Sequence, residues 1–178
     1  RMRCGRGVMP KRVLIIDTSV LSCWLRIPGK DRCGPRDDLW DFDRIEQLLT
    51  EEMEAKSTLV LPVATLIETG NHIAHSNGDR FVLAQQLAEV LRKTAEEEEP
   101  WAAFEHQSAL WKVDNLRQLS EQWPKLAAQG LGIGDATIVD VAKYYAGAGM
   151  FDVVILTGDR GLKSFEPTPT LVPRRRTK

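Results

Sequence analysis

Val13-Leu14-Ile15-Ile16-Asp17-Thr18-Ser19 is the stretch on which the fold turns. Four consecutive apolar residues, following the basic pair Lys11-Arg12, form a short continuous run of the kind found in strands buried on both faces of a parallel sheet. The run ends on a carboxylate and two hydroxyls. In an open α/β sheet, ligands bind outside the carboxyl ends of the strands, and Asp17 stands at such an end. Asp17 reads equally well as the cap of a following helix, with Thr18 and Ser19 beside it, because aspartate is among the preferred N-cap residues.

Two further stretches share this form. Thr58-Leu59-Val60-Leu61-Pro62 is a second buried strand, stopped by proline, and Asp152 to Leu156 is another, running into Thr157-Gly158-Asp159. Between them lie segments with helical periodicity. Thr18 to Leu25 reads as a short helix or turn. From about Pro35 to Lys56, Leu39, Phe42, Ile45, Leu48, Leu49 and Met53 recur at steps of three and four. Helices are also expected over 64–76, over 79–95 with Asp79 as cap, over 101–111, over 115–129, and from Asp135 to about Tyr145. A short strand is expected within 110–114, a short helix over 161–165 and a last strand over 170–172. Strands alternating with helices predict an α/β domain: a three-layer α/β/α sandwich around a mainly parallel sheet.

The chain has 178 residues, 43% of them hydrophobic and 28% charged, with a net charge of −1. One domain over 12–172 is expected, with basic tails at 1–11 and 173–178. Near-neutrality excludes a chain that binds polyanions over its whole surface, so any nucleic-acid contact must use local patches. One such patch is the loop Arg26 to Asp38, which carries Arg26, Lys30, Arg32 and Arg36. It reads as a phosphate grip or as a solvated loop. No apolar run approaches the ~20 residues of a membrane span, and the expected location is the cytoplasm. Cys4, Cys23 and Cys33 are odd in number and lack metal-ligand spacing, which speaks against a disulfide framework or a zinc site.

Four acids occupy corresponding places in this scheme. Asp17 and Asp159 each end a strand. Glu68 lies in the first helix after the second strand, and Asp135 opens a helix after Gly132-Ile133-Gly134. A parallel sheet gathers these places at one edge. Carboxylates crowded there repel one another unless cations neutralise them, and hard oxygen donors favour Mg²⁺ or Mn²⁺. Divalent ions on carboxylates suit phosphodiester hydrolysis. Each acid also has a plain structural reading, as a cap, a turn residue or an exposed helix position.

These segments, with Gly134-Asp135-Ala136-Thr137-Ile138-Val139 and Val154-Ile155-Leu156-Thr157-Gly158-Asp159, resemble the PIN-domain nuclease family over nearly the whole chain. The resemblance implies a metal-dependent endoribonuclease that leaves a 5′-phosphate and a 3′-hydroxyl. It implies Asp17, Glu68, Asp135 and Asp159 as catalytic metal ligands for Mg²⁺ or Mn²⁺, with Thr18 or Ser19 and Thr157 in support. RNA is the implied substrate. Many family members of this size are VapC-like toxins held by an inhibitory antitoxin protein. This chain is longer than those, through the 26–38 loop and the helices over 79–128. A structure-specific DNA nuclease and an inactive PIN-fold scaffold are the alternatives. Apolar helices suit a homodimer.

Among secondary candidates, Arg160 and Lys163 flank Asp159 and suit substrate phosphate or a structural ion pair. His72 and His75 share a helix face with Glu68, and Asn71 lies beside them. Asp140 is about 140° round the helix from Asp135 and is a reserve acid pointing elsewhere. The five tryptophans read as core or interface.

Overall fold

A computed structural model describes residues 11–149 and 151–168. The expected strand over 170–172 and the basic tail over 173–178 lie outside these residues, as does the amino-terminal tail as far as residue 10.

The first strand, β1, covers Lys11–Ile16, so Lys11 belongs to the sheet and not to the tail. Helix α1 (Thr18–Trp24) follows, then a small antiparallel hairpin of β2 (Arg32–Cys33) and β3 (Trp40–Asp41), and helix α2 (Phe42–Glu54). Strand β4 (Thr58–Val60) leads into α3 (Val63–Ala74) and α4 (Arg80–Ala95). A 3₁₀ helix (Phe104–Trp111), α5 (Val113–Ala127) and α6 (Ile133–Gly147) precede β5 (Phe151–Leu156) and the single turn α7 (Arg160–Lys163).

The main sheet has the order β4-β1-β5 and both pairings are parallel. Side chains of β1 alternate between the two faces. Leu14 and Ile16 pack with Val20 and Leu21 of α1, Ile45 and Leu49 of α2, Ile73 of α3 and Leu87 of α4. Val13 and Ile15 pack on the other side with Ile138, Val139 and Ala142 of α6, together with Ile155. All four β1 residues from Val13 to Ile16 are buried, each contributing about 1.5–3 kcal/mol of transfer free energy. The protein is therefore α/β, with helices on both faces of a three-stranded parallel sheet. Among the described residues, no helix is long and apolar enough to cross a membrane.

Three expectations are corrected. The helix expected from Pro35 begins only at Phe42, where Asp41 caps it by accepting from the Arg44 N–H at 3.0 Å. The preceding residues are used by the hairpin: Gly34 has φ +93°, and Asp38 N–H closes a turn onto Pro35 C=O. The residues over 110–114 form no strand, because Leu110 and Trp111 end the 3₁₀ helix and Val113 begins α5. The edge of β4 is met instead by residues 100–102: Leu59 N–H donates to Pro100 C=O and Ala102 N–H to Leu59 C=O, both at 2.8 Å. This pairing also takes Trp101 to Ala103 out of the helix expected over 101–111.

Candidate active site

Each strand of the sheet delivers its next few residues to the same edge. Asp17 N–H continues the ladder by donating to Leu156 C=O at 3.0 Å, so the ends of β1 and β5 stay side by side. Thr65, buried in α3, donates its hydroxyl to Ile16 C=O at 2.8 Å and fixes α3 against the end of β1. α3 starts at Pro62 without a side-chain cap of its own. Gln107 supplies one from far along the chain: its Oε1 accepts from Val63 N–H at 3.3 Å, and its Nε2 donates to Leu61 C=O at 2.8 Å. A glutamine from a distant 3₁₀ helix carries no local sequence signal for this role.

The result is a cleft of about 330 Å³ lined by Asp17, Glu68, Asp135 and Asp159, together with Thr18, Ser19, Ser22, Cys33, Lys30, Arg32 and His72. The four acids come from four different elements and meet in one place. Their carboxylates share a pattern. In each, one oxygen takes all of the hydrogen bonds found among the described residues.

Asp17 Oδ2 accepts from the Ser19 hydroxyl at 2.6 Å, the Thr157 hydroxyl at 2.8 Å and Ser19 N–H at 3.3 Å. Glu68 Oε2 accepts from the Thr18 hydroxyl at 2.8 Å. Asp135 Oδ2 accepts from Gly132 N–H at 3.1 Å, a bond that closes the first turn of α6. Asp159 Oδ1 accepts from Gly161 N–H at 2.6 Å and Leu162 N–H at 3.3 Å, capping α7. The second oxygen of each has no such bond. The cap and site readings of Asp17 and Asp159 are thus compatible: one oxygen fixes the backbone and the residue still lines the cleft.

The supporting hydroxyls are themselves fixed. Thr157 Oγ1 accepts from Asp159 N–H at 2.9 Å while donating to Asp17, and Ser19 Oγ accepts from Gly158 N–H at 3.0 Å. Asp17, Thr157 and Asp159 are therefore linked through one threonine.

Charge is not balanced in the cleft. No Lys, Arg or His nitrogen lies within 4.0 Å of these four carboxylates among the described residues, whereas Glu52, Asp38 and Asp37 each have an arginine partner. At the opposite edge of the sheet a larger cavity, about 1140 Å³, contains Glu52 and Asp152. Arg12 bridges both of those, at 2.6 and 3.1 Å. The cleft acids feel one another instead. Asp135 is held above the ordinary aspartate value, first by burial and then by the charges of Asp17, Glu68 and Asp159, against the lowering effect of the Gly132 bond. Burial and Lys30 lower His72, and Glu68 pulls it the other way. The Cys33 thiol is pushed up to about 11 by burial and by its neighbours Cys23 and Asp17, so it stays protonated.

Two local features shape the cleft. The Ser22 hydroxyl lines it, is fully buried and has no hydrogen-bond partner among the described residues, a state that costs about 1–3 kcal/mol. Gly134 leaves room for Glu68: a Cβ there would lie 2.2 Å from Glu68 Oε1. The glycine brings a carboxylate onto the first turn of α6, where the backbone dipoles favour negative charge.

Of the other sequence candidates, His72 lines the cleft. His75 sets its Nδ1 against Asn71 C=O at 2.8 Å and is exposed, and neither it nor Asn71 lines the cleft. Asp140 pairs with Lys143 and borders a separate small pocket, as its helical angle predicts. Arg160 pairs with Asp37 of the hairpin loop, and Lys163 with Glu166 and Ile155 C=O. Neither cation lines the cleft. The cations that do, Lys30 and Arg32, come from the basic loop over 26–38.

The donor set suits a hard divalent ion in its chemistry. Its spacing is open: among the described residues no three His, Cys, Asp or Glu side chains stand together as a ready metal shell. Mg²⁺ keeps several waters and is commonly held by one or two carboxylates with substrate phosphate, so that spacing accommodates it. Comparison with protein-family models finds no match, and comparison with curated proteins and with solved structures finds no significant one.

Proposed function

We propose that this chain is a metal-dependent endoribonuclease with a PIN-like domain. The observation that carries the reading is the meeting of Asp17, Glu68, Asp135 and Asp159 in one cleft at the carboxyl edge of a parallel sheet, with no cation paired to them among the described residues. A cluster of this kind lowers stability unless it is neutralised by what it binds, and a perturbed acid beside charged neighbours, as Asp135 is, is a mark of functional sites.

In this reading Asp17 and Asp159 would be the principal ligands of Mg²⁺ or Mn²⁺, and Glu68 and Asp135 would complete the site or position the attacking water. When bound, such an ion lowers the pKa of water and stabilises charge on the leaving oxygen. The protein's own part is positional. Thr157 and Ser19 hold Asp17 through Oδ2, which leaves Oδ1 for the ion. Thr18 does the same for Glu68, and α7 for Asp159. Orienting partners of this kind typically change metal affinity or activity by about 10–100-fold. The resemblance to PIN-domain nucleases adds the RNA substrate, the 5′-phosphate product and, for the VapC-like group, an inhibitory antitoxin and a homodimer.

The test is cleavage of a mixed RNA pool in Mn²⁺ by the wild-type chain and by Asp17→Asn, with a parallel EDTA control. The reading predicts Mn²⁺-dependent cleavage that Asp17→Asn lowers by at least a hundredfold without loss of fold. Cleavage that survives EDTA or the substitution contradicts it. Cleavage confined to branched DNA points to the DNA nuclease, and metal binding without cleavage of either points to the scaffold.

A further inference from the structure

The hairpin insertion places two unpaired cations at the acidic cleft. Lys30 and Arg32 both line it, and neither side chain makes an ion pair or a hydrogen bond among the described residues. Arg12, Arg44, Arg92, Arg117 and Arg160 have carboxylate partners, and Arg26, Arg36 and Arg80, which have none among the described residues, do not line the cleft. Long cationic side chains that stand beside four carboxylates and yet pair with none are placed for a further anion.

The backbone that carries them is pinned on every side. Ile27 is buried in the core, and Lys30 N–H closes a turn onto Ile27 C=O at 2.8 Å. Pro28 packs on Gly78, where a Cβ would approach to 2.8 Å. Asp31 C=O accepts from the Cys23 thiol at 3.2 Å. Arg32 lies in β2, paired with Asp41 of β3. Cys33 and Gly34 press on Gly158, where a Cβ would lie 2.6 Å from Gly34 N. Gly158 is the residue between Thr157 and Asp159, so the loop is seated on the acid cluster itself. The Ser22 hydroxyl, without a hydrogen-bond partner among the described residues, lines the same cleft.

Resting on the nuclease reading above, we infer that Lys30 and Arg32 hold backbone phosphates of a single RNA strand and lay the strand across the carboxylate cleft. The division of labour is by sign: carboxylates take the metal, and the pinned hairpin takes the strand. A rigid mount lets these two side chains bind with little ordering of the loop. Phosphate contacts position a strand without reading its sequence, so the pair sets affinity and register, not base preference.

The test uses the full chain and a short fluorescein-labelled single-stranded RNA. Binding is read by anisotropy in Ca²⁺ across a salt series, and cleavage by kcat and KM in Mn²⁺. For Lys30→Gln with Arg32→Gln we expect binding weaker by about tenfold or more. The salt slope should become shallower by about 0.7 for each phosphate that is no longer neutralised. KM should rise while kcat changes little. Lys30→Arg with Arg32→Lys should restore the salt slope, a result that a merely structural role would not produce. Calorimetry should show Mn²⁺ binding no weaker in the Gln variant, since the lost charges are positive. An unchanged affinity and salt slope in that variant overturns the inference even where the wild type cleaves RNA. Wild-type binding with the predicted slope but no cleavage supports the inference and refutes catalysis.

Discussion

At the scale of single residues, the site is made by sharing carboxylate oxygens. Each of the four acids uses one oxygen to order nearby backbone or to receive a hydroxyl, and keeps the other open. Gly134 is the most direct probe of this arrangement. Alanine at that position favours the helix by up to about 1 kcal/mol, while its Cβ displaces the flexible Glu68 carboxylate. Gly134→Ala should therefore keep or raise the Tm of the metal-free protein while lowering Mn²⁺-dependent cleavage at least tenfold. A variant that is stabilised and fully active contradicts the placement of Glu68 in the site. The place of Asp17 at the end of a buried strand was legible from the sequence, while its own stretch left cap and site open. Cap and site are not true alternatives for it, since a carboxylate has two oxygens and Asp17 both caps α1 and lines the cleft.

At the scale of elements, the site depends on contacts between segments far apart in the chain. α3 has no cap of its own, and Gln107 provides it across 44 residues. Gln107→Leu leaves Val63 N–H and Leu61 C=O without their partner and should cost about 1–3 kcal/mol in chemical denaturation. Because α3 carries Glu68, the variant should also lose activity beyond what its folded fraction explains. Activity in proportion to folded protein would show that α3 is held adequately without the glutamine. The strands and most helices could be read from apolar periodicity. The hairpin could not, because Leu39 falls at helical spacing from Phe42 while the chain there turns at Gly34. The edge pairing of Trp101 was hidden for a related reason: a tryptophan beside proline gives no strand signal, and its partner lies in β4. In both places tertiary contacts decide a backbone that local pattern leaves ambiguous.

At the scale of the whole molecule, the near-zero net charge conceals a separation of charge. Glu52 and Asp152 at the amino edge of the sheet are bridged by Arg12, while the four acids at the carboxyl edge line one cleft with Lys30 and Arg32. Bulk composition excluded a general polyanion binder and could say nothing of this local asymmetry, which exists only once the sheet brings four elements together. The central claim is that these acids form one divalent-ion site. It is tested most directly by calorimetric titration of Mn²⁺ into the metal-free protein, compared with Asp17→Asn and with Asp159→Asn. The account predicts saturable binding to the wild type, weakened at least tenfold by either substitution although the two residues are 142 positions apart in the chain. Equal binding by all three proteins, or none by the wild type, would contradict it.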